Sequence, residues 1–346
     1  MRFLFVVSGK SVPSTRFRIL PYLPFLEDAG HTCDVAYSRP PKYEYYRALG
    51  WRLSQRLQRW VREWHVLLAR RRHYDAIVIE REVFDGDNWE IEAKLRQATG
   101  RLVLDVDDGV FLLHPDKFDR IARMCDVAIG GNRWLTEYLA QRCSAVQLIP
   151  TCVTLGDYPL REAALQRLQE PRIGWIGTTQ NVSLLQVAAP AIRAMAKDRE
   201  LRLLVVAPSP ERLDEVDLRG VRVDFRVWNP RTEVEQLRDM DLGIMPLPAG
   251  EEWMKYKCGL KLIQYLAVGI PGVASPIGVN EAILQGDRVG RAATTSAEWE
   301  AALAALLDSV PLRQQMGAAG RQLVEQEYSI EGRWQQLQGI LTGQLS

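Results

Sequence analysis

Short apolar segments alternate with longer amphipathic stretches through the first half of the chain. The apolar segments lie at residues 3–7, 33–36, 76–79, 102–104, 127–129 and 146–149, and helix-length stretches separate them. Strands that are buried on both faces of a parallel sheet have this unbroken apolar character, and the stretches between them supply the crossover helices. The pattern therefore predicts a parallel sheet covered by helices.

The same alternation begins again after Pro150. Apolar segments recur at residues 173–176, 203–207, 221–227, 242–245 and 272–274, and helical patterns occupy 182–197, 231–239, 297–307, 312–328 and 332–341. The repetition predicts a second domain of the same kind. The expected fold class is α/β, with two Rossmann-like, doubly wound parallel-sheet domains.

The chain length agrees with two domains, because 346 residues exceed the size at which one hydrophobic core usually stops growing. Gly156, Pro159 and Pro171 lie between the two series, so we expect a hinge within residues 151–171. We predict an N-terminal domain of residues 1–155, a C-terminal domain of residues 156–330 and a final helix at 331–346 that packs back on the first domain. The carboxyl ends of the strands would then face an interdomain cleft, the natural ligand site.

Composition narrows the class of protein. Lys and Arg total 44 against 43 for Asp and Glu, and this net charge of +1 gives no reason to expect a nucleic-acid partner. The five cysteines are widely spaced without a C-x-x-C pair, which argues against a disulfide framework or a zinc site and favours a cytoplasmic location. No apolar run reaches the ~18 residues of a membrane span, so any membrane contact would be peripheral.

The stretch from Tyr256 to Ser275 has the most informative chemistry. Its apolar positions predict a helix that begins near Gly259 and ends at Gly269, with Lys257, Lys261 and Gln264 on one side. A helix N-terminus carries unpaired N–H groups and a partial positive charge, so two lysines beside it would favour a bound diphosphate. On this pattern alone, an ordinary solvated helix face explains the two lysines better than a phosphate site does.

This stretch also carries a family resemblance. The sequence of residues 260–275, LKLIQYLAVGIPGVAS, resembles the donor-binding helix, turn and strand of the retaining GT-B glycosyltransferases, the family 4-like group also called glycosyl transferases group 1. Weaker similarity extends over residues 75–81, 125–132, 149–153 and 174–178 in the expected order. The resemblance implies a GT-B fold and a metal-independent enzyme of the hexosyltransferase type, without a cofactor. Such an enzyme moves a sugar, with retention, from a nucleotide diphosphate sugar to a glycan or lipid-linked acceptor in cell-surface polysaccharide or glycoconjugate synthesis.

The chain departs from that family at two positions. The family commonly has two glutamates eight positions apart, which contact the donor sugar and the ribose, and here the positions hold Tyr256 and Gln264. Gln264 retains the ability to hydrogen-bond a ribose, whereas Tyr256 cannot replace a carboxylate. Glu251 and Glu252 are the candidate substitutes.

A strand-to-helix turn in the second half supplies Gly177, Thr178 and Thr179, which would let a phosphate or sugar approach the backbone. The resembled family often has an Arg and a Lys soon after this turn, but residues 177–192 contain neither. The resemblance therefore places the diphosphate on Lys257, Lys261 and the helix start at Gly259, with Lys261 the catalytic stabiliser of the leaving group.

Trp228 ends another strand and resembles the loop that lies near the nucleotide base, although an aromatic residue at a strand end is commonly a packing residue. Together with Tyr256 and Gln264 it completes the predicted donor site.

Charged and polar residues follow strands of the first half and form the predicted acceptor site. They are Arg16 and Arg18 after the first strand, Glu80 and Arg81 after the third, and Asn132 after the fifth. The arginines are suited to an anionic acceptor or to the donor diphosphate.

Three carboxylates, Asp105, Asp107 and Asp108, follow the fourth strand. They are consistent with a D-x-D metal site, with a helix cap or with the wall of an acceptor pocket. A two-domain pattern argues against the metal-dependent glycosyltransferase fold, so no metal is expected. In the resembled family a histidine often stands at the position of Asp107, which makes Asp107 and Asp108 the candidate catalytic residues that orient the acceptor hydroxyl or the reacting sugar.

Residues 51–73 predict a basic amphipathic helix. Leu53, Leu57, Trp60, Val61, Trp64, Leu67 and Leu68 form one face, and arginines flank it. Tryptophan beside arginine suits an anionic membrane surface, such as the inner face of the membrane where a lipid-linked acceptor lies. A core-facing helix with a solvated flank fits the same pattern.

Other functions fit the same fold. The missing glutamates also suit a catalytically silent subunit that binds a nucleotide sugar, and a nucleotide-sugar epimerase or phosphorylase would share the architecture. No nucleic-acid-binding motif is present.

Overall fold

The computed structural model describes residues 1–162 and 170–345, and these contain two six-stranded parallel sheets. The predicted α/β fold class, with two Rossmann-like domains, is confirmed. Residues 163–169 of the predicted hinge and Ser346 of the predicted final helix lie outside the described residues.

The first sheet has the strand order β2-β1-β3-β4-β5-β6. Its strands are β1 (Arg2–Val7), β2 (Thr32–Tyr37), β3 (Ala76–Glu80), β4 (Leu102–Val106), β5 (Val127–Gly130) and β6 (Val146–Leu148). The helices between them are α1 (Leu23–Asp28), α2 (Gly50–Arg72), α3 (Glu90–Arg96), α4 (Pro115–Met124) and α5 (Arg133–Ala140). The strands β1, β3, β4 and β5 are almost wholly buried, as their unbroken apolar sequence predicts.

The second sheet has the order β12-β11-β10-β7-β8-β9. Its strands are β7 (Arg172–Ile176), β8 (Arg202–Ala207), β9 (Arg222–Val227), β10 (Leu242–Met245), β11 (Gly272–Ala274) and β12 (Gly290–Ala292). The helices are α6 (Ala189–Met195), α7 (Glu233–Arg238), α8 (Glu252–Lys255), α9 (Leu260–Ala267), α10 (Val279–Leu284), α11 (Ser296–Leu307) and α12 (Val310–Glu327), and α13 (Ile330–Thr342) follows them.

A helix and a strand in the second half of the chain differ from the pattern-based prediction. The stretch predicted as one helix over residues 182–197 is a 3₁₀ segment at Thr179–Val187 followed by α6, which has Pro190 in its first turn. Proline lacks the N–H that a continuous helix needs, so the helix restarts there. The edge strand β12 was not predicted, because Gly-Arg-Ala is not an apolar run.

The chain forms two compact units. The first contains Met1–Thr151, Tyr256–Cys258 and the chain from Ile330 onward, and the second contains the described residues of Cys152–Lys255 and Gly259–Ser329. Within the first unit, α13 packs on α1 through Phe25 and Trp334, whose stacked ring centroids are 5.9 Å apart.

Each sheet reverses its strand order at one position, between β1 and β3 in the first sheet and between β7 and β10 in the second. The helices that follow such neighbouring strands lie on opposite faces, which opens a crevice beyond the carboxyl ends of the strands. The loops after these four strands are therefore the positions at which each unit can bind a ligand. In the described ranges 1–162 and 170–345, no helix combines the length and the apolar character that crossing a membrane requires.

Candidate active site

Arg81 and Asp107 form an ion pair beyond the carboxyl edge of the first sheet. Arg81 follows β3 and Asp107 follows the adjacent strand β4, and the Nε of Arg81 lies 2.5 Å from an Oδ1 of Asp107. The Arg81 backbone has a φ of 59°, in the left-handed region that non-glycine residues seldom occupy. Strained backbone of this kind is concentrated at functional sites, and here it directs the guanidinium toward Asp107.

The electrostatics of this pair keep Asp107 charged. Burial favours the neutral carboxyl, but the Arg81 guanidinium outweighs it and holds the pKa of Asp107 below its ordinary value. Asp107 can therefore accept a hydrogen bond from a hydroxyl at neutral pH. The neighbouring Asp108 uses Oδ1 to accept a hydrogen bond from the Gly109 N–H at 2.9 Å, which shapes the loop after β4.

Arg18 has a structural position. Its guanidinium is buried and donates two hydrogen bonds to Asp105, at 3.0 and 2.5 Å, and a third to the Ile149 carbonyl at 2.6 Å. Protein oxygens occupy these three donor positions, and the acceptor contact of Arg18 stays a prediction. This buried ion pair joins the segment after β1 to β4, so Asp105 is the structural partner of Arg18.

Glu80 is likewise part of the fold. Its buried carboxylate accepts hydrogen bonds from the hydroxyls of Ser14 and Thr15 and from the Ser8 N–H. These contacts fix the turn after β1 against β3, and a direct contact of Glu80 with an acceptor stays a prediction. Arg16, also predicted, is half-buried and lies over the Phe17 ring, 5.0 Å from its centroid.

Asn132 and Tyr256 hold a short chain segment in the first unit. The Asn132 side chain accepts a hydrogen bond from Leu135 N at 3.0 Å as the N-cap of α5, and it donates to the Tyr256 carbonyl at 2.9 Å. Tyr256 is buried, with its ring edge-on to Phe111 at a centroid distance of 4.8 Å. Both side chains thus make contacts within the protein, and their predicted ligand contacts stay predictions.

Lys257 and Lys261 do not share a helix face. Lys257 precedes the helix α9 and belongs to the first unit, whereas Lys261 is the second residue of α9 and belongs to the second unit. Lys257 therefore does not lie on the helix that carries Lys261 and Gln264. The reason is Gly259, whose φ of 68° turns the chain immediately before the helix.

Lys261 lies over the turn that follows β7. A methyl group added to Gly177 would stand 2.9 Å from the Lys261 Cε and 2.6 Å from the Trp175 ring, so only glycine fits under this side chain. The Lys261 ammonium is 5.6 Å from the centroid of the Trp175 ring. The cation is half-buried at the strand whose carboxyl end marks the crevice of the second sheet.

Two threonines line the same turn. Thr178 is the N-cap of the 3₁₀ segment, and its hydroxyl accepts a hydrogen bond from the Asn181 side chain at 3.0 Å. Thr179 is half-buried beside it. Lys261 thus lies beside the turn that contains Gly177, Thr178 and Thr179, and donor binding by these residues stays a prediction.

A buried network surrounds Gln264 and contains a carboxylate that the sequence analysis missed. The Gln264 Nε2 donates to Glu233 at 2.9 Å and to the Tyr158 hydroxyl at 3.0 Å, and the Trp228 indole N–H donates to the other Glu233 oxygen at 2.5 Å. Glu233 is buried in the first turn of α7. The signal available in the sequence was the Trp-Asn-Pro loop shortly before it.

A protein-family model matches most of the second unit. Residues 170–309 match the model of the family described as glycosyl transferases group 1. No curated protein sequence matches the chain. The match spans β7 to α11 and includes the Lys261 turn and the Glu233 network.

Solved structures share the fold of the whole chain. A sucrose-phosphate synthase from Thermosynechococcus elongatus has a TM-score of 0.74 at 16% identity, with 99% of each chain covered. A glycosyltransferase from Rickettsia africae has a TM-score of 0.71 at 13% identity, covering 99% of this chain and 98% of that one. HepE from Anabaena, solved in complex with UDP-glucose, has a TM-score of 0.68 at 15% identity and covers 99% of this chain and 100% of its own.

The two sheets, the family match and these structural neighbours lead to one conclusion. The chain is a glycosyltransferase with the GT-B fold, and its residues 170–309 match the family described as glycosyl transferases group 1.

Proposed function

We propose that this glycosyltransferase transfers a sugar, with retention at the anomeric carbon, from a nucleotide diphosphate sugar bound by its second unit. The observation that carries the proposal is the position of Lys261, a half-buried cation over the turn after β7 at the strand-order reversal of the second sheet. Ligands of doubly wound sheets bind beyond the carboxyl ends of the strands at this position.

Lys261 would act on the leaving group. When the bond between the anomeric carbon and the phosphate oxygen breaks, the nucleoside diphosphate gains negative charge, and a fixed cation stabilises that charge more strongly than it stabilises the bound donor. The backbone N–H groups at the start of α9 add to the same effect. Gly177, Thr178 and Thr179 let the phosphates approach the chain, and the Gln264–Glu233–Trp228 network orders the wall on which the nucleoside rests.

The first donor to test is a uridine diphosphate sugar. HepE, which shares the fold of this chain, was solved with UDP-glucose bound. A uridine diphosphate sugar offers the diphosphate that Lys261 would hold, and we propose that neither a metal nor another cofactor is needed.

The first unit would contribute the acceptor groups. Asp107, kept anionic by Arg81, would accept a hydrogen bond from the acceptor hydroxyl and orient it. Arg16 and Lys257 are further candidate contacts. We propose a glycan or lipid-linked acceptor used in cell-surface polysaccharide synthesis at the inner face of the membrane, with peripheral membrane contact through residues 51–72.

A thermal-shift series with nucleotide diphosphate sugars tests the proposal. A ligand at 100 times its dissociation constant stabilises the protein by about 2.7 kcal/mol, so the best donor will give the largest rise in melting temperature. Release of free nucleoside diphosphate on addition of acceptor, with an α-configured product from an α-linked donor, would support transfer with retention. Donor binding without release would instead indicate a silent subunit, and turnover that needs free phosphate or no acceptor would indicate a phosphorylase or an epimerase.

A further inference from the structure

The helix α2 packs on the first unit through its less apolar side. The side chains buried beneath it are Ser54, Gln58, Arg62, Val66 and Ala69, which recur every three or four residues and so share one face. The predicted apolar face is therefore not the one that meets the core, and the interpretation of 51–73 as a core-facing helix with a solvated flank is wrong.

Buried polar contacts fix this orientation. The Arg62 guanidinium donates to the carbonyls of Ala36 and Val7, at 2.8 and 2.7 Å, at the ends of β2 and β1. The Gln58 side chain donates to the Pro40 carbonyl at 3.2 Å. Because these partners hold the polar side inward, the aromatic side must face outward.

The outward side of α2 is a line of large apolar residues. Leu53, Trp60, Trp64 and Leu67 lie along one stripe of the helix, and the first three are 52%, 77% and 55% exposed. We call these four residues the aromatic stripe. Monomeric proteins seldom leave two tryptophans and two leucines exposed together, so this surface has a binding role.

The charge around the aromatic stripe is positive. Arg56 and Arg71 are exposed on the same side of the helix, and Arg52 and Arg70 flank it. The single acidic residue of α2, Glu63, forms an ion pair with Lys94 at 2.6 Å, and the lysine neutralises the charge of the glutamate. Exposed tryptophan with unopposed arginine fits the headgroup region of an anionic bilayer, where the indole ring is partly dehydrated and the guanidinium meets phosphate.

We propose that the aromatic stripe and its arginines dock this protein on the surface of an anionic lipid bilayer, with Trp60 and Trp64 inserted among the headgroups and α2 parallel to the surface. A second copy of the chain is a poorer occupant, because a two-fold interface would bring Arg56 and Arg71 against the same residues of the other copy. The inference deepens the proposed function, since it brings the acceptor-binding unit to the surface on which a lipid-linked acceptor lies.

Vesicle co-sedimentation of the full chain tests the proposal without any sugar donor. We expect binding to vesicles of phosphatidylglycerol mixed with phosphatidylcholine, weak binding to phosphatidylcholine alone, and a decline with added salt. The double variant Trp60→Ser/Trp64→Ser should lose at least ten-fold in partition, while Val227→Ser, an equally exposed apolar position on β9, should be unchanged. Arg56→Gln/Arg71→Gln should lose about ten-fold or more on the anionic vesicles, and the exposed Arg231→Gln should not.

Several outcomes would overturn the docking proposal. They are equal binding by the Trp60/Trp64 variant and the wild type, a wild-type dimer in sedimentation velocity that the same variant abolishes, and binding to duplex DNA in place of vesicles. Circular dichroism of each variant checks that α2 remains folded, as we expect because the substituted residues are exposed. A failure here leaves donor binding untouched, and a failure to release nucleoside diphosphate leaves vesicle binding untouched, so the two proposals are tested separately.

Discussion

At the scale of single residues, Gln264 shows how a carboxylate is supplied by a different helix. The resembled family has a glutamate at this position, and here a glutamine donates to Glu233, which the Trp228 indole also holds. A second carboxylate at position 264 would face Glu233 with no proton between them. The two positions are therefore coupled through one shared hydrogen bond.

The variant Gln264→Glu, which restores the family residue, should destabilise the protein at neutral pH. Two buried carboxylates at hydrogen-bond distance repel, and the hydrogen bond that the Gln264 amide donates to Glu233 is lost. Urea unfolding at neutral pH measures the change in the free energy of unfolding.

The reciprocal double variant Glu233→Gln/Gln264→Glu is the matched control. It restores one amide and one carboxylate, so it should recover most of the stability at neutral pH. A single variant as stable as the wild type at neutral pH, or a double variant no better than the single, would contradict the coupling.

Asp107→Asn should lower kcat by about 100-fold and leave donor affinity unchanged. The amide keeps the shape of the side chain but removes the charge that Arg81 stabilises and that would orient the acceptor hydroxyl. Initial rates and titration with the donor measure the two quantities, and Asp28→Asn, at an exposed position of the same unit, is the control. An unchanged kcat would remove Asp107 from the mechanism.

The residue scale is where sequence reasoning was least complete. The grouping of Gly177 with Lys261 was predictable because the strand and the helix start were both visible in the pattern. The burial of Arg18, Glu80 and Asn132 was not, because a charged residue after a strand has the same pattern whether it contacts a ligand or closes a loop. Glu233 was missed because its partner Gln264 is distant in the sequence.

Among the helices and strands, α2 and every strand except β12 were predicted with nearly correct limits, since their apolar patterns are strong. The side of α2 that meets the protein was not predictable. The buried side of α2 is set by the carbonyls at the ends of β1 and β2, to which Arg62 donates. These carbonyls belong to segments that are distant from α2 in the sequence. The local sequence pattern predicts a helix or a strand, but it does not predict the segment against which that helix or strand packs.

His65 on α2 should make stability depend on pH. Burial, aided by the positive charges of Arg62 and Arg39, lowers the pKa of His65 to about 4, and its Nδ1 is buried without a hydrogen-bond partner. The unfolded chain takes up a proton near pH 6.5 and the folded chain does not, so the free energy of unfolding should fall as pH drops from about 6.5 to 4. In His65→Gln this part of the decline should be absent.

Chemical unfolding of wild type and His65→Gln at neutral and acidic pH measures the difference between the two slopes. A change in the free energy of unfolding that the substitution causes equally at every pH cancels when the two slopes are compared. Parallel slopes for the two proteins would show that His65 does not carry this dependence.

At the scale of the whole molecule, the fold class followed from the alternation of apolar and amphipathic stretches, because a parallel sheet needs both buried strands and crossover helices. The assignment of Tyr256–Cys258 to the first unit could not be foreseen. It depends on Asn132 and Phe111, which hold Tyr256 from positions more than a hundred residues earlier in the sequence.

Calorimetric titration with uridine diphosphate tests whether the nucleotide diphosphate binds at Lys261 of the second unit. The variant Lys261→Ala should weaken binding and slow donor turnover by tens-fold or more, because a charged stabiliser is lost. Lys197→Ala, at an exposed lysine of the same unit, should match the wild type. Equal affinity and equal turnover in Lys261→Ala and wild type would contradict the account.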